Sequence, residues 1–206
     1  MSGLQYGRKI FCVIPDGVDD VSAAGIPVAY LTAQIPLTLA GFRPGKTVLA
    51  PAIGGSVGNA VTQLARALGA KHAISSTTNH AKAEQARALG FNEVIDTSSE
   101  KLSDGVRCVT DGYGADIVID GIGGEVLSEA LKALALRGSL STLGYSASCK
   151  TTIDVAASCD KPAFGVSICS VSRRRRSLTL GRSLSLYFNS VRSNRSSLNR
   201  SPALGV

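Results

Sequence analysis

The stretch TVLAPAIGGSVGNAVTQLARALG, residues 47–69, decides the fold. Its first four residues, Thr47–Ala50, are mostly apolar and follow a Pro-Gly pair, so they predict a short buried strand. Three glycines crowd the next turn, and from Val57 onward apolar residues recur at helical spacing. A helix that begins there directs its unpaired N–H groups and the positive end of its dipole into the glycine turn. A pyrophosphate can bind at such a turn.

A glycine turn between a strand and a helix is weak evidence when taken alone, because glycines also let a helix pack closely on a strand with nothing bound. The segments that follow it strengthen the prediction of a nucleotide-binding fold. Further strands are predicted at residues 71–75, 93–96, 115–120 and 139–143, and helices at 81–89, after Ser98 or Ser99, and at 125–135. Because strand and helix alternate, residues 43–146 are predicted to form an α/β doubly wound parallel sheet of the Rossmann-like type.

Ligands of such sheets bind at the carboxyl ends of the strands, which here are followed by four loops. These loops are the glycine turn at 52–58, the polar run at 75–79, residues 120–124, and Gly144-Tyr145.

The residues after the second strand bear on the choice of dinucleotide. An acid in that place favours NAD, because it holds the ribose 2′-hydroxyl, but this sequence has Ser75 and Ser76 there, and Lys82 in the next helix. Hydroxyls and a cation favour a 2′-phosphate and hence NADP(H). The alternative is that the serines only cap the helix and that Lys82 is a solvated charge.

Charge is divided unevenly along the chain. Residues 1–160 carry 13 Lys and Arg against 15 Asp and Glu, a net charge of −2, whereas residues 161–206 carry 9 basic residues and no acid. Residues 157–206 are rich in Ser and Arg and lack periodicity, so we expect a disordered basic C-terminal tail. Four arginines at 173–176 precede Ser177, which is a pattern typical of a nucleic-acid-binding patch or of a sequence that a kinase recognises. Nucleic acid is nevertheless disfavoured as a partner, because aromatic residues for base stacking are nearly absent there.

Cysteine usage and the one long uncharged segment bear on location. The five cysteines include no C-x-x-C pair and the two histidines stand apart from them, so reduced thiols, a cytoplasmic location and no metal site are predicted. Residues 21–42 carry no charge and are long enough to span a bilayer. Prolines and polar residues interrupt this segment, so we expect a buried helix that is capped at Asp19-Asp20, and no membrane partner.

Several ordered motifs resemble one known family. The chain is similar to the cofactor domain of the medium-chain dehydrogenase/reductase superfamily, above all to its zinc-free, NADPH-dependent quinone oxidoreductase branch. The resemblance covers about residues 13–155 and rests on PVAYLTAQIPL, GFRPGKTVL, the glycine turn, VTQLARALGAK, ARALGFNEVIDTS, ADIVIDGIGGEVL and RGSLSTLGYSA. The family's first turn glycine is replaced by Ala52. If that position requires a positive φ, the alanine costs about 1 kcal/mol.

The resemblance also implies a set of cofactor-binding residues. It implies a pyrophosphate held at the glycine turn, a 2′-phosphate near the second strand, and adenosine and nicotinamide halves bordered by the later loops. In that order the residues are Gly54, Gly55, Ser56, Val57 and Gly58; Ser75, Ser76 and Lys82; and Gly121, Gly144 and Tyr145.

The same resemblance implies a domain organisation. Residues 1–18 are expected to be the remnant of a GroES-like catalytic domain, 19–156 the NADP-binding domain, and 157–206 the tail. Because most of a catalytic domain is then missing, no catalytic residue is assigned; Tyr30 and Thr32 are candidates either to face the nicotinamide or to pack within their helix.

Two functions follow from this organisation. One is an NADPH-dependent oxidoreductase that acts on a small-molecule quinone or enone, with a homodimer as the candidate assembly. The other is a non-catalytic NADP-binding module.

Overall fold

The computed structural model describes residues 13–153 and 165–168. These residues form helices and strands that alternate along the chain, as the sequence predicts. The helices are α1 (Asp20–Leu39), α2 (Ser56–Ala67), α3 (His80–Ala88), α4 (Leu102–Val109) and α5 (Gly124–Lys132). The strands are β1 (Thr47–Ala50), β2 (His72–Thr77), β3 (Val94–Asp96), β4 (Ala115–Asp120), β5 (Leu134–Thr142) and β6 (Gly165–Ile168).

The strands form a single sheet in the order β3-β2-β1-β4-β5-β6, and every pairing is parallel. All four residues of β1 are buried, as expected for the central strand of such a sheet. The chain reverses its winding direction between β1 and β4, so the carboxyl ends of these neighbours flank the point where ligands of doubly wound sheets bind. The predicted doubly wound α/β fold is confirmed.

Two apolar layers cover the sheet. On one face, Ala33 and Leu37 of α1 and Val61 of α2 pack against Ile117 and Ile119 of β4. On the other face, α4 and α5 cover the alternate residues of the strands. The glycine turn after β1 therefore lies at the edge of a sheet that is covered on both faces.

Helix α1 has the length and apolar composition of a bilayer-spanning helix, and 28% of its most apolar 18-residue stretch is buried within the protein. The predicted cap is present, since the Asp19 carboxylate accepts a hydrogen bond from the Ser22 backbone N–H at 2.8 Å. The sequence predicts a buried helix, and the structure shows that only one face of α1 is buried, where it packs on α2 and β4. On the opposite face Val21 and Val28 are 85% and 80% exposed.

Three other boundaries differ from the sequence prediction. Strand β2 continues to Thr77 because Ser75, Ser76 and Thr77 pair with β3. Ser98 does not cap α4; its backbone N–H and hydroxyl donate to Asp96 at 3.0 and 2.5 Å instead. Strand β5 begins five residues early, at Leu134 rather than 139, and its register with β4 shifts before Ser139.

Strand β6 lies within the segment for which the sequence predicts disorder. Its residues pair with β5 from Ser139↔Gly165 to Thr142↔Ile168. The remainder of the predicted tail, and residues 1–12, lie outside the described residues.

Candidate cofactor site

The glycine turn is held by contacts between backbone groups of β1, α2 and β2. Ala52 has a φ of 65°, so this position does adopt the left-handed conformation that glycine favours. The Gly55 N–H donates to the Ala52 carbonyl at 2.9 Å, and the Ile53 N–H donates to the Ser76 carbonyl at 2.8 Å. A Cβ on Gly58 would lie 2.4 Å from the carbonyl oxygens of both residues 51 and 52, so only glycine lets α2 approach the turn this closely.

Four backbone N–H groups at this turn have no hydrogen-bond partner among the described residues: those of Gly54, Ser56, Val57 and Gly58. The first residue before α2 is Gly55, which has no side chain to cap the helix. Unpaired donors at a helix N-terminus favour an anion, because they combine directed N–H groups with the positive end of the helix dipole. The structure therefore brings together the residues that the sequence assigns to a pyrophosphate.

A cleft of about 530 Å³ opens beside these donors, between α1 and α3. The ammonium-bearing side chain of Lys82 leans toward the turn, and its Cδ lies 4.0 Å from the place where a Cβ on Gly54 would be. Lys82 is exposed and forms no ion pair with any residue that the structure describes. The lining residues are Gly25, Ala29, Tyr30, Ile53, Gly54, Gly55, Ser56, Asn59, Lys82, Gln85, Ala86, Leu89 and Phe91.

Ser75 and Ser76 do not line this cleft. Ser75 is fully buried and its hydroxyl donates to the Ala50 carbonyl at 2.6 Å. Ser76 is 5% exposed, and its hydroxyl accepts from the Ala52 N–H at 3.4 Å. Both serines therefore support the turn from β2, and a direct contact of Ser75 with a phosphate is inconsistent with its burial.

The exposed residues after β2 are instead Thr78, Asn79 and His80. The Asn79 side chain caps α3 by accepting from the Lys82 N–H at 3.1 Å. His80 Nδ1 lies 2.8 Å from an Asp96 carboxylate oxygen at the end of β3. Hydrogen bonds from the Ser98 hydroxyl, from His80 and from the Ser98 N–H lower the pKa of Asp96, against a smaller opposing effect of burial.

A second group of predicted residues meets where β4 and β5 end. A Cβ on Gly144 would lie 3.1 Å from the Gly121 carbonyl oxygen, and the Ser146 N–H donates to that oxygen at 3.3 Å. Tyr145 beside them is 71% exposed. These residues do not line the 530 Å³ cleft, but they share the carboxyl edge of the sheet with it.

Asp120, which the sequence analysis did not single out, organises this junction. It is fully buried, and its two carboxylate oxygens accept from the Ile122 N–H at 3.1 Å and the Gly123 N–H at 2.9 Å. Burial raises the pKa of this carboxyl, although the two N–H donors act in the opposite direction.

The two candidate residues of α1 have different positions. Tyr30 lines the cleft, whereas Thr32 is half-buried and does not. Of the residues that sequence reasoning missed, Asn59 is the most informative. Its polar side chain in the first turn of α2 was the available signal. Within the described ranges, no group of three His, Cys, Asp or Glu residues is placed to hold a metal ion.

Comparison with known proteins assigns this architecture to one family. The family model described as "Zinc-binding dehydrogenase" matches residues 56–183, beyond the predicted domain boundary at 156. Phthioceranic/hydroxyphthioceranic acid synthase of Mycobacterium tuberculosis (strain ATCC 25618 / H37Rv) is 34% identical over 137 residues, which are 66% of this chain and 6% of that protein.

Two solved structures are similar over most of the described chain. 2-Haloacrylate reductase is 28% identical with a TM-score of 0.70, and the match covers 87% of this chain and 57% of that one. The quinone oxidoreductase of Thermus thermophilus, which was also solved as a complex with NADPH, is 26% identical with a TM-score of 0.64, over 86% of this chain and 54% of that one. This chain thus spans little more than half of each solved structure and a small part of the synthase.

Proposed function

Because the chain belongs to the zinc-binding dehydrogenase family, within the medium-chain dehydrogenase/reductase superfamily, we propose that it binds NADP(H) at the cleft between α1 and α3. We further propose that it acts as an oxidoreductase on a quinone or an α,β-unsaturated carbonyl compound. The observation that carries the cofactor assignment is the set of four N–H groups at the glycine turn, with the Lys82 ammonium beside them, all without a partner in the described part of the chain.

In this proposal the two kinds of phosphate have separate ligands. The N–H groups of Gly54, Ser56, Val57 and Gly58 bind the pyrophosphate, as helix N-termini bind anions in other nucleotide sites. The Lys82 ammonium binds the 2′-phosphate, assisted by the exposed residues after β2. Gly55 and the two serines shape the turn without contacting phosphate.

The nicotinamide half is proposed to extend toward β4 and β5. No atom beyond its chain neighbours lies within 4 Å of the position that a Cβ on Gly121 would take, Gly144 packs closely on the Gly121 carbonyl, and the exposed Tyr145 borders this edge. Bound NADPH supplies a hydride, and the chain's own contribution is to hold and orient the dinucleotide. Tyr30 remains a proposed contact of the acceptor side, and no general acid is assigned.

The proposed class of acceptor is inferred from the two solved relatives. The quinone oxidoreductase supports a quinone, and the 2-haloacrylate reductase supports an alkene conjugated to a carboxyl group. A homodimer, independence from zinc and a cytoplasmic location stay predictions. A binding module without turnover is the alternative function.

A charge reversal at Lys82 tests the cofactor assignment. Losing one charge-assisted hydrogen bond costs about 1.5–3 kcal/mol, so Lys82→Glu should weaken NADPH binding by about 10- to 100-fold and NADH binding far less. Titration calorimetry with both dinucleotides measures the two dissociation constants.

Lys71→Glu is the matched control, because Lys71 is also exposed but lies beside the amino end of β2, in a different cleft. Equal loss of NADPH and NADH in Lys82→Glu would refute the 2′-phosphate assignment. If the unaltered chain bound neither dinucleotide, both proposed functions would fail.

A turnover assay distinguishes the proposed oxidoreductase from the non-catalytic binding module. Absorbance at the NADPH band, followed with a quinone or with an acrylate-type alkene, should decrease only when an acceptor is present. Tight NADPH binding without acceptor-dependent oxidation would favour the binding module.

A further inference from the structure

The peptide that joins Ile53 to Gly54 lies in the glycine turn, and only its carbonyl has a hydrogen-bond partner among the described residues. The Ile53 carbonyl accepts a hydrogen bond from Asn59 Nδ2 at 3.3 Å. The Ile53 N–H, which belongs to the preceding peptide, donates to the Ser76 carbonyl on β2. In a planar trans peptide the carbonyl of one residue and the N–H of the next point in opposite directions. While Asn59 holds the Ile53 carbonyl, the Gly54 N–H therefore points away from Asn59 and has no partner among the described residues.

The direction of the Asn59 amide is itself fixed by α2. Gln63 Nε2, one turn further along the helix, donates to Asn59 Oδ1. An amide has its acceptor oxygen and its donor nitrogen on opposite sides, so this contact leaves Asn59 Nδ2 to face the Ile53 carbonyl.

The opposite orientation of the 53–54 peptide is accessible because residue 54 is glycine. Glycine adopts φ of either sign, and apart from Lys82 Cδ at 4.0 Å nothing lies near the position of a Cβ on Gly54. A reversed peptide would present the Ile53 carbonyl oxygen to the anion and would remove one of the four N–H donors.

We propose that Asn59 is a positioning residue that keeps the 53–54 peptide in its anion-binding orientation. The inference rests on the proposed function only in taking the anion to be the pyrophosphate of the dinucleotide. Because NADPH and NADH share that pyrophosphate, Asn59 affects both cofactors, whereas Lys82 affects one.

The first measurement is independent of any ligand. The nuclear Overhauser effect between the Ile53 Hα and the Gly54 N–H in the full chain reports which way the 53–54 peptide faces, because reversing the peptide changes the distance between these two protons. We expect its intensity to change between the unaltered protein and Asn59→Ala. Gln63→Glu provides a second variant, because a carboxylate at 63 only accepts and so turns the Asn59 nitrogen away from Ile53. An effect of unchanged intensity in both variants would overturn the proposal.

The second measurement is affinity. A neutral hydrogen bond contributes about 0.5–1.5 kcal/mol, so Asn59→Ala should weaken NADPH and NADH alike by about three- to tenfold. Asn92→Ala, at an exposed asparagine outside the cleft, is the control and should change neither. A loss confined to NADPH would contradict the assigned role.

A rescue separates positioning from general support of the fold. Gly54→Ala disfavours the reversed peptide, because alanine resists a positive φ. Asn59→Ala should therefore reduce the affinity for NADPH less when residue 54 is alanine than when it is glycine. An equal loss in both backgrounds would show that Asn59 acts in another way. If the unaltered chain bound no dinucleotide, the nuclear Overhauser effect between Ile53 Hα and the Gly54 N–H would still decide the role of Asn59.

Discussion

Ala52 carries a backbone conformation that its side chain disfavours. Its φ is 65°, and the other non-glycine residues of the described chain with a positive φ are Asp111 at 51° and Arg137 at 61°. The left-handed conformation costs an L-residue about 1–2 kcal/mol, part of which is offset because alanine restricts the unfolded chain more than glycine does.

We therefore expect Ala52→Gly to raise the free energy of unfolding by about 0.5–1 kcal/mol, measured by urea denaturation. Ala24→Gly is the control, because Ala24 is exposed within helix α1. There the same replacement should lower the free energy by about 1 kcal/mol. Destabilisation by both changes would contradict the strain at Ala52.

The residues of the site were predictable to different degrees. The glycine turn and its donors follow from local sequence, because a strand, glycines and a helical period specify them together. The burial of Ser75 does not follow, because it depends on pairing with β3, about twenty residues further on. A run of Ser and Thr looks like a loop until the partner strand is known.

Helix α1 is an element whose two faces have different roles. Leu37 is fully buried against the sheet, whereas Val28 is 80% exposed. We expect Leu37→Ala to lower the free energy of unfolding by about 2–5 kcal/mol and Val28→Ala to change it by less than about 0.5 kcal/mol. Thermal or urea unfolding of the two variants measures this, and equal effects would show that α1 does not pack as described.

The β4–α5 junction contains a buried carboxyl whose titration affects stability. Burial raises the pKa of Asp120 above its ordinary value of 3.8. A raised folded pKa means that the folded state binds the proton more tightly than the unfolded chain does. The contribution of Asp120 is therefore fully present below about pH 3.8 and decreases as the pH rises through the folded pKa.

Asp120→Asn should remove this dependence. The unfolding free energy of the unaltered chain minus that of the variant is expected to be constant below about pH 3.8, to decrease as the pH rises through the folded pKa, and then to level off. Urea unfolding at a series of pH values gives the difference, in which the other titrating groups cancel. A difference that is constant with pH would show that Asp120 keeps its ordinary pKa.

Element boundaries were predicted best where the cause is local. The Asp19 cap, β1 and β4 agree with the sequence prediction. The early start of β5 was not predictable, because Arg137 adopts a φ of 61° where the register with β4 shifts. Charged and glycine residues at 137–138 indicate a turn, but pairing with β4 makes them part of a strand.

At the scale of the whole molecule, the positive charge lies apart from the cofactor site along the sequence. The four arginines at 173–176 lie outside the described residues and account for four charges of the net +7. We expect their replacement by glutamine to leave the ratio of NADPH to NADH affinity unchanged, because Lys82 sets that ratio. Calorimetry in moderate salt, which screens long-range attraction, measures it. A ratio that fell toward one would assign the preference to the arginines.

The strand order has a consequence for how the chain folds. Strand β1 pairs on one side with β2, the next strand to be synthesised, and on the other with β4, which follows only after α3, β3 and α4. Ala33 and Leu37 of α1 pack with Ile117 and Ile119 of β4 as well as with α2, so part of their apolar surface stays uncovered until β4 docks. Docking of β4 is thus the step that should limit the folding rate, because it closes the longest loop in the sheet. Chains interrupted before β4 would expose the apolar face of α1 and the open flank of β1 together, the combination that recruits chaperones or causes aggregation.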